Sequence, residues 1–236
     1  MSSAAKLVDA LSAIEWKENV EEFCGDAIAT ASMSASNLKL AIWSKQLEQI
    51  DRGNPALCFV REMQVSGHLV AASTALAMYK SAAASTRTVV ETALYYSYFR
   101  THQSELTTLV RSNKWYLSKS EIIEYHVTHT PDFNEVQRYL PVVSLLNPWY
   151  SEISAIIHGQ IPGKWLKQKG ISDIKPDGEL RTVALTYFER AVDIVNRLFL
   201  CTVGREQWDY ISTSAKDSIL RGLPGQIKTE LGLDSA

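Results

Sequence analysis

Residues 56–102 read ALCFVREMQVSGHLVAASTALAMYKSAAASTRTVVETALYYSYFRTH, and the class of the fold turns on them. The stretch is dense in Ala, Leu, Met and aromatic residues, holds no proline, and has Gly67 as its only glycine. At a rise of 1.5 Å per residue it is either one very long helix or two helices with a break. The break is expected near Gly67 or in the small-residue run from Ser81 to Ser85. The Ala and Ser content of residues 71–86 points to close helix–helix approach, because small side chains let backbones come near.

Working outward, Asp51-Arg52-Gly53 stops a preceding helix over Leu38 to Ile50. Asn54-Pro55 then opens the central segment, with Asn as N-cap and Pro at the first helical position. Further upstream, Leu7, Leu11 and Ile14, then Val20, Phe23 and Ile28, recur at helical spacing, and Ser32 to Asn37 read as a break. Downstream, Ser104-Glu105 and Ser118 to Glu121 are helix starts, the second with capping-box spacing. They predict helices over 105–113 and 119–129. Pro131 interrupts, a short helix runs from Phe133 to Tyr139, and Asn147-Pro148 opens another that ends at His158-Gly159. Residues 160–177 carry Pro162, Gly163, Gly170 and Pro176 and read as a loop. Glu179 to Val203 is the clearest late helix, and Gly222-Leu223-Pro224-Gly225 punctuates the shorter helical pieces beyond it. The expectation is an all-α fold: a single helical domain over 1–236, with a bundle core at about 38–203 and a less regular C-terminal extension at about 204–236.

Hydrophobic residues make up 46% of the chain and charged residues 21%, enough apolar material for one substantial core. A formal net charge of -2 argues against a broad, non-specific nucleic-acid surface, which would be basic, and leaves a local basic patch open. Cys24, Cys58 and Cys201 are far apart, odd in number and set among apolar neighbours, so they read as buried reduced thiols. Lys6, Asp9 and Glu15 interrupt any signal-like apolar core, and no run approaches the roughly 18 apolar residues needed to span a bilayer. A cytoplasmic protein without a membrane segment is expected by elimination.

Arg87, Glu91 and Tyr95 fall at i, i+4 and i+8 and share one face of the central helix; Tyr150, Ser154 and His158 repeat that spacing on the helix after Pro148. Burying a charge without a partner is costly, so the two polar stripes are expected to face one another in a network. Such a network is commonly structural, with Arg–Glu supporting the helix and His158 favoured at a helix C-terminus by the dipole. It also carries the groups a general acid–base site needs. His126 and His129, with Glu121, Glu124 and Asp132 nearby, are better read as a solvated helix face than as a metal site, so no metal is expected. Lys164, Trp165, Lys167 and Lys169 would suit phosphate contact and base stacking on a single strand, against the plainer reading of a solvated loop. Tyr95, Tyr96, Tyr98 and Phe99, and likewise Trp43, Trp115 and Trp149, read as core or interface aromatics. No Gly-rich phosphate loop and no activated nucleophile is recognisable, and no cofactor is expected.

The segment Arg87-Thr-Val-Val-Glu91, followed by Tyr150-Ser-Glu-Ile-Ser154-Ala-Ile-Ile-His158-Gly159, resembles uncharacterised bacterial helical proteins similar to the HEPN superfamily (higher-eukaryote and prokaryote nucleotide-binding domains) over roughly residues 40–200. That resemblance implies a helical-bundle protein, often a dimer, acting as a metal-independent ribonuclease or as a non-catalytic assembly module in toxin–antitoxin or antiviral defence systems. Active members carry an Arg a few residues before the His on the same helix. Here Ser151, Glu152, Ile153 and Ser154 occupy those positions, so only His158 carries over. Arg87 would have to supply the charge from the other helix, with Glu91 orienting it. Three functions stay open: an interaction subunit working as a homo-oligomer or with a neighbouring gene product, a ribonuclease acting on RNA through His158, and a nucleotide or small-molecule sensor.

Overall fold

The computed structural model describes residues 2–112, 114–161 and 170–233, and among these the regular structure is all helical, with no strand. In chain order come α1 (Ser3–Ser12), α2 (Trp16–Gly25), α3 (Ala27–Ile50), α4 (Leu57–Ala75), α5 (Tyr79–Phe99), α6 (Gln103–Arg111), α7 (Lys119–His129), α8 (Phe133–Tyr139), α9 (Val142–Ile157) and α10 (Gly178–Phe199). A π-helical turn, Leu200–Gly204, extends α10, followed by α11 (Arg205–Gln207), α12 (Thr213–Leu220) and α13 (Gly225–Glu230). No helix among the described residues is long and apolar enough to cross a membrane.

The centre is α5. It packs against α4 and α10, and α3 closes the group by packing on both of those; α9 lies across α5 and α10, and α7 covers another side of α5. Its sequence suits this position, since Ala82, Ala83, Val89, Val90, Ala93, Leu94, Tyr96 and Phe99 are all buried. Trp43 and Trp149 are fully buried as well, as their apolar surroundings predict.

The break in the 56–102 stretch is at Leu76–Met78, at neither expected position. The Met78 N–H bonds to the Ser73 carbonyl at 2.7 Å and the Ala77 N–H to the Thr74 carbonyl at 3.1 Å. This is a Schellman ending, with Ala77 left-handed (φ 58°) where glycine is usual. Gly67 instead sits inside α4 at its contact with α3. A Cβ there would come within 2.8 Å of Asn37 Oδ1 and 2.9 Å of Leu40 Cδ1, so the glycine permits the close approach. A second correction concerns Ser32 to Asn37, which lie within an unbroken α3: Asn37 sits at the Gly67 contact, Ser32 donates to Glu189 of α10, and Met33 and Ser36 are buried.

Helix α9 begins at Val142, and Pro148 lies inside it. Packing of Val142, Leu146, Trp149 and Ile153 in the core holds the helical path through the proline. The capping box at α7 is as expected, with Ser118 Oγ accepting from the Glu121 N–H and Glu121 Oε2 from the Ser118 N–H. One cluster runs from Phe23 to Leu233, because Ile219, Leu220, Leu223, Leu231 and Leu233 turn inward. Asn196 fastens this C-terminal part: its Oδ1 accepts from Trp43 Nε1 at 2.8 Å and its Nδ2 donates to the Ile219 carbonyl at 3.1 Å. All three cysteines are free, but only Cys201 is buried; Cys24 and Cys58 are exposed, because Phe23 in the one helix and Leu57 and Val60 in the other take the core-facing positions.

Candidate functional site

Helices α5 and α9 pack together, and the two polar stripes meet at their crossing. Arg87 donates from Nε to Glu91 Oε1 at 2.9 Å and from Nη2 to the Tyr150 hydroxyl at 2.7 Å. The hydroxyl of Tyr150 in turn donates to Glu91 Oε1 at 2.6 Å, which closes a triangle. The guanidinium also lies over the Tyr150 ring, 4.7 Å from its centroid. The Arg87 and Glu91 side chains are 23% and 35% exposed, so the triangle sits at the rim of the core rather than inside it. Burial works against the Arg87 charge, but Glu91 and Tyr150 together outweigh it and raise the pKa. Burial, then the bond to Glu91, pushes the Tyr150 phenol up to about 12, so it is a neutral donor at physiological pH.

His158 is the exposed C-cap of α9. Gly159 follows at φ +68°, the Gln160 N–H returns to the Ala155 carbonyl at 2.8 Å, and the Gly159 N–H to the Ile156 carbonyl at 3.1 Å. This ending presents the imidazole to Arg87, with Nη1 3.4 Å from His158 Nε2. A guanidinium can only donate. In this contact, therefore, Nε2 is the acceptor and the proton of the neutral ring sits on Nδ1. The lone pair a general base would use already faces Arg87.

Two members of the expected cluster behave differently. Ser154 donates back to the Tyr150 carbonyl at 2.6 Å, one turn earlier, and takes no part in the triangle. Tyr95 packs on Phe59 and Phe99. It borders a cleft of about 430 Å³ beside the triangle, which Arg87, Glu91, Tyr116, Lys119 and Tyr150 also line. Sequence spacing missed Lys119. Its ammonium lies 5.2 Å from the Tyr150 ring centroid and donates to Asn147 Oδ1. Lys164, Trp165, Lys167 and Lys169 fall outside the described residues.

Of the expected solvated face, His129, Glu121, Glu124 and Asp132 are exposed, but His126 is not part of it. His126 is buried, with Nε2 2.9 Å from Ser97 Oγ and Nδ1 2.7 Å from Thr130 Oγ1. Because Ser97 donates to the Leu94 carbonyl at 2.7 Å, its oxygen is left to accept from Nε2–H, while Thr130 donates to Nδ1. Both ring nitrogens are used, and the serine is not activated as a nucleophile. Burial, with His102 a lesser cause, lowers the His126 pKa to about 4. A cavity of about 510 Å³ borders this pair and the π-helical turn through Cys201 and Thr202. It is larger than the Arg87 cleft, but its Arg100 is already committed to Asp51 by two hydrogen bonds of 3.0 and 3.2 Å. No group of His, Cys, Asp and Glu among the described residues could hold a metal.

The sequence matches no protein-family model, and no curated protein or solved structure matches it significantly. The meeting of Arg87, Glu91, Tyr150 and His158 on two helices far apart in sequence is the arrangement with the most chemical content.

Proposed function

We propose that this chain is a HEPN-like helical interaction subunit, non-catalytic or conditionally active, working in a bacterial defence or toxin–antitoxin assembly. The observation that carries the first half of this reading is the commitment of Arg87. Its guanidinium is neutralised by Glu91, tied to Tyr150, and directed at the one lone pair His158 would need as a base. A site for phosphoryl transfer to a ribose 2′-hydroxyl needs that lone pair free and an uncompensated cation for the developing phosphorane charge. The defence setting comes from the sequence resemblance alone.

The ribonuclease reading is favoured by one distance, the 3.4 Å between Arg87 Nη1 and His158 Nε2, which brings together two groups such an enzyme would use. Expression with the native genomic neighbours, followed by native mass measurement and RNA profiling of wild type and His158→Ala, separates the two. A stoichiometric protein partner with identical RNA profiles is the expected result. RNA cleavage by wild type that disappears in a folded His158→Ala protein would overturn the proposal in favour of the nuclease.

A further inference from the structure

The Arg87 cleft has an unbalanced charge. Of the residues that line it, Arg87, Glu91 and Lys119 are charged, and Arg87 and Glu91 cancel. Lys119 is half-buried and, among the described residues, forms an ion pair with no carboxylate. Its contacts are the neutral Asn147 amide and the face of the Tyr150 ring, neither of which carries a countercharge. Burial alone depresses its pKa, as expected for an ammonium drawn from water without a counter-ion. A cation held this way costs free energy until an anion reaches it. On the same rim stands Tyr116, 73% exposed, its ring in contact with no other aromatic ring among the described residues. The apolar walls are Leu94, Leu117 and Ile122, and the volume of about 430 Å³ falls within the range of small-molecule pockets.

The geometry points to a binding site for a small organic anion with a planar ring, its carboxylate or phosphate on Lys119 and its ring on Tyr116. This deepens the sensor function named from the sequence and is independent of whether the chain binds a protein partner or cuts RNA. Arg87, Glu91 and Tyr150 line the cleft, so an occupant would contact the same network that faces His158.

Calorimetric titration of the full chain with benzoate, phenyl phosphate and inorganic phosphate, at matched ionic strength, tests the assignment. Saturable binding of at least one ring-bearing anion is expected, with inorganic phosphate weaker. Lys119→Met keeps the aliphatic stem and should weaken binding by about tenfold or more, the scale of a lost charge-assisted contact. Lys119→Arg should restore most of it. Tyr116→Ala should reduce binding of the ring-bearing anions and leave inorganic phosphate unchanged. Absence of saturation with every probe, or a folded Lys119→Met protein that binds as tightly as wild type, would overturn the inference. Neither result bears on the co-purification test of the subunit reading.

Discussion

Asn196→Leu is the substitution whose cost the structure defines most sharply. Asn196 is 1% exposed and Trp43 fully buried, so solvent cannot replace the bonds that are lost. Leucine fills a similar volume but leaves the Trp43 indole N–H and the Ile219 carbonyl without partners. That carbonyl belongs to the last turn of α12, where carbonyls have no acceptor role inside the helix. Each orphaned buried group costs about 1–3 kcal/mol, so the pair predicts a loss of about 2–6 kcal/mol, which the extra apolar contact of leucine trims to about 2–5 kcal/mol. Against a typical total stability of about 5–15 kcal/mol this is a large fraction. For a chain of this size it corresponds to a fall in Tm of roughly 4–20 °C. Urea denaturation followed by circular dichroism gives the free energy directly. A cycle with Trp43→Phe should show coupling between the two sites of about 0.5–3 kcal/mol. An Asn196→Leu protein within about 0.5 kcal/mol of wild type, with no coupling to Trp43, would refute the reasoning and mean that the C-terminal helices are held by apolar contact alone.

Tyr150→Phe removes the hydroxyl that joins Arg87 to Glu91 across α5 and α9 while leaving the direct ion pair. Hydrogen bonds to charged groups are worth about 1.5–3 kcal/mol when sheltered, and the exposure of Glu91 reduces this to about 1 kcal/mol; a loss above about 3 kcal/mol in denaturant titration would show that the triangle is a core element. Protonation of His126 should set part of the acid sensitivity. Its folded pKa, about 4, lies below the unfolded value near 6.5, so the unfolded chain binds the proton first. The stability present above pH 6.5 is lost as pH falls toward 4, by about 2 kcal/mol at pH 5. Denaturation at pH 7 and pH 5 should show this loss in wild type and not in His126→Gln, and an equal loss in both proteins would assign the acid sensitivity elsewhere.

How much of this was readable in advance depends on whether the signal was local. The capping box at Ser118 and Glu121 and the glycine ending at His158-Gly159 are contained within a few residues and were legible as they stand. So was the facing of Arg87, Glu91 and Tyr150, because helical spacing put each set on one face and the cost of burying Arg87 required a partner. The break between α4 and α5 was not legible. A Schellman turn with Ala77 in the glycine position carries no glycine or proline to mark it, and Gly67, which did stand out, answers to α3 packing. Pro148 looked like a helix start because the core contacts that carry α9 through it are tertiary. Lys119 was missed for a related reason: it reaches the Tyr150 ring from a third helix, and no periodicity links α7 to the other two. His126 was misjudged because its burial is set by Ser97 on α5 and not by its own helix.

Conditional activity would have a physical basis in this arrangement. His158 can act as a base at Nε2 only if Arg87 turns away, and Glu91 and Tyr150 resist that turn. After allowance for solvent at the rim, the bonds to be broken are worth roughly 2 kcal/mol together. At about 1.36 kcal/mol per factor of ten, this holds a reaction back by roughly 30-fold, a restraint and not a block. A partner or ligand that drew Glu91 or Tyr150 out of the triangle would therefore change the state of His158 without touching it. A protein without catalysis would keep the same triangle simply to join α5 to α9. The two cases differ in what happens when the triangle is opened, and for that reason the RNA profile on co-expression with the native genomic neighbours carries more weight than any measurement on the isolated chain.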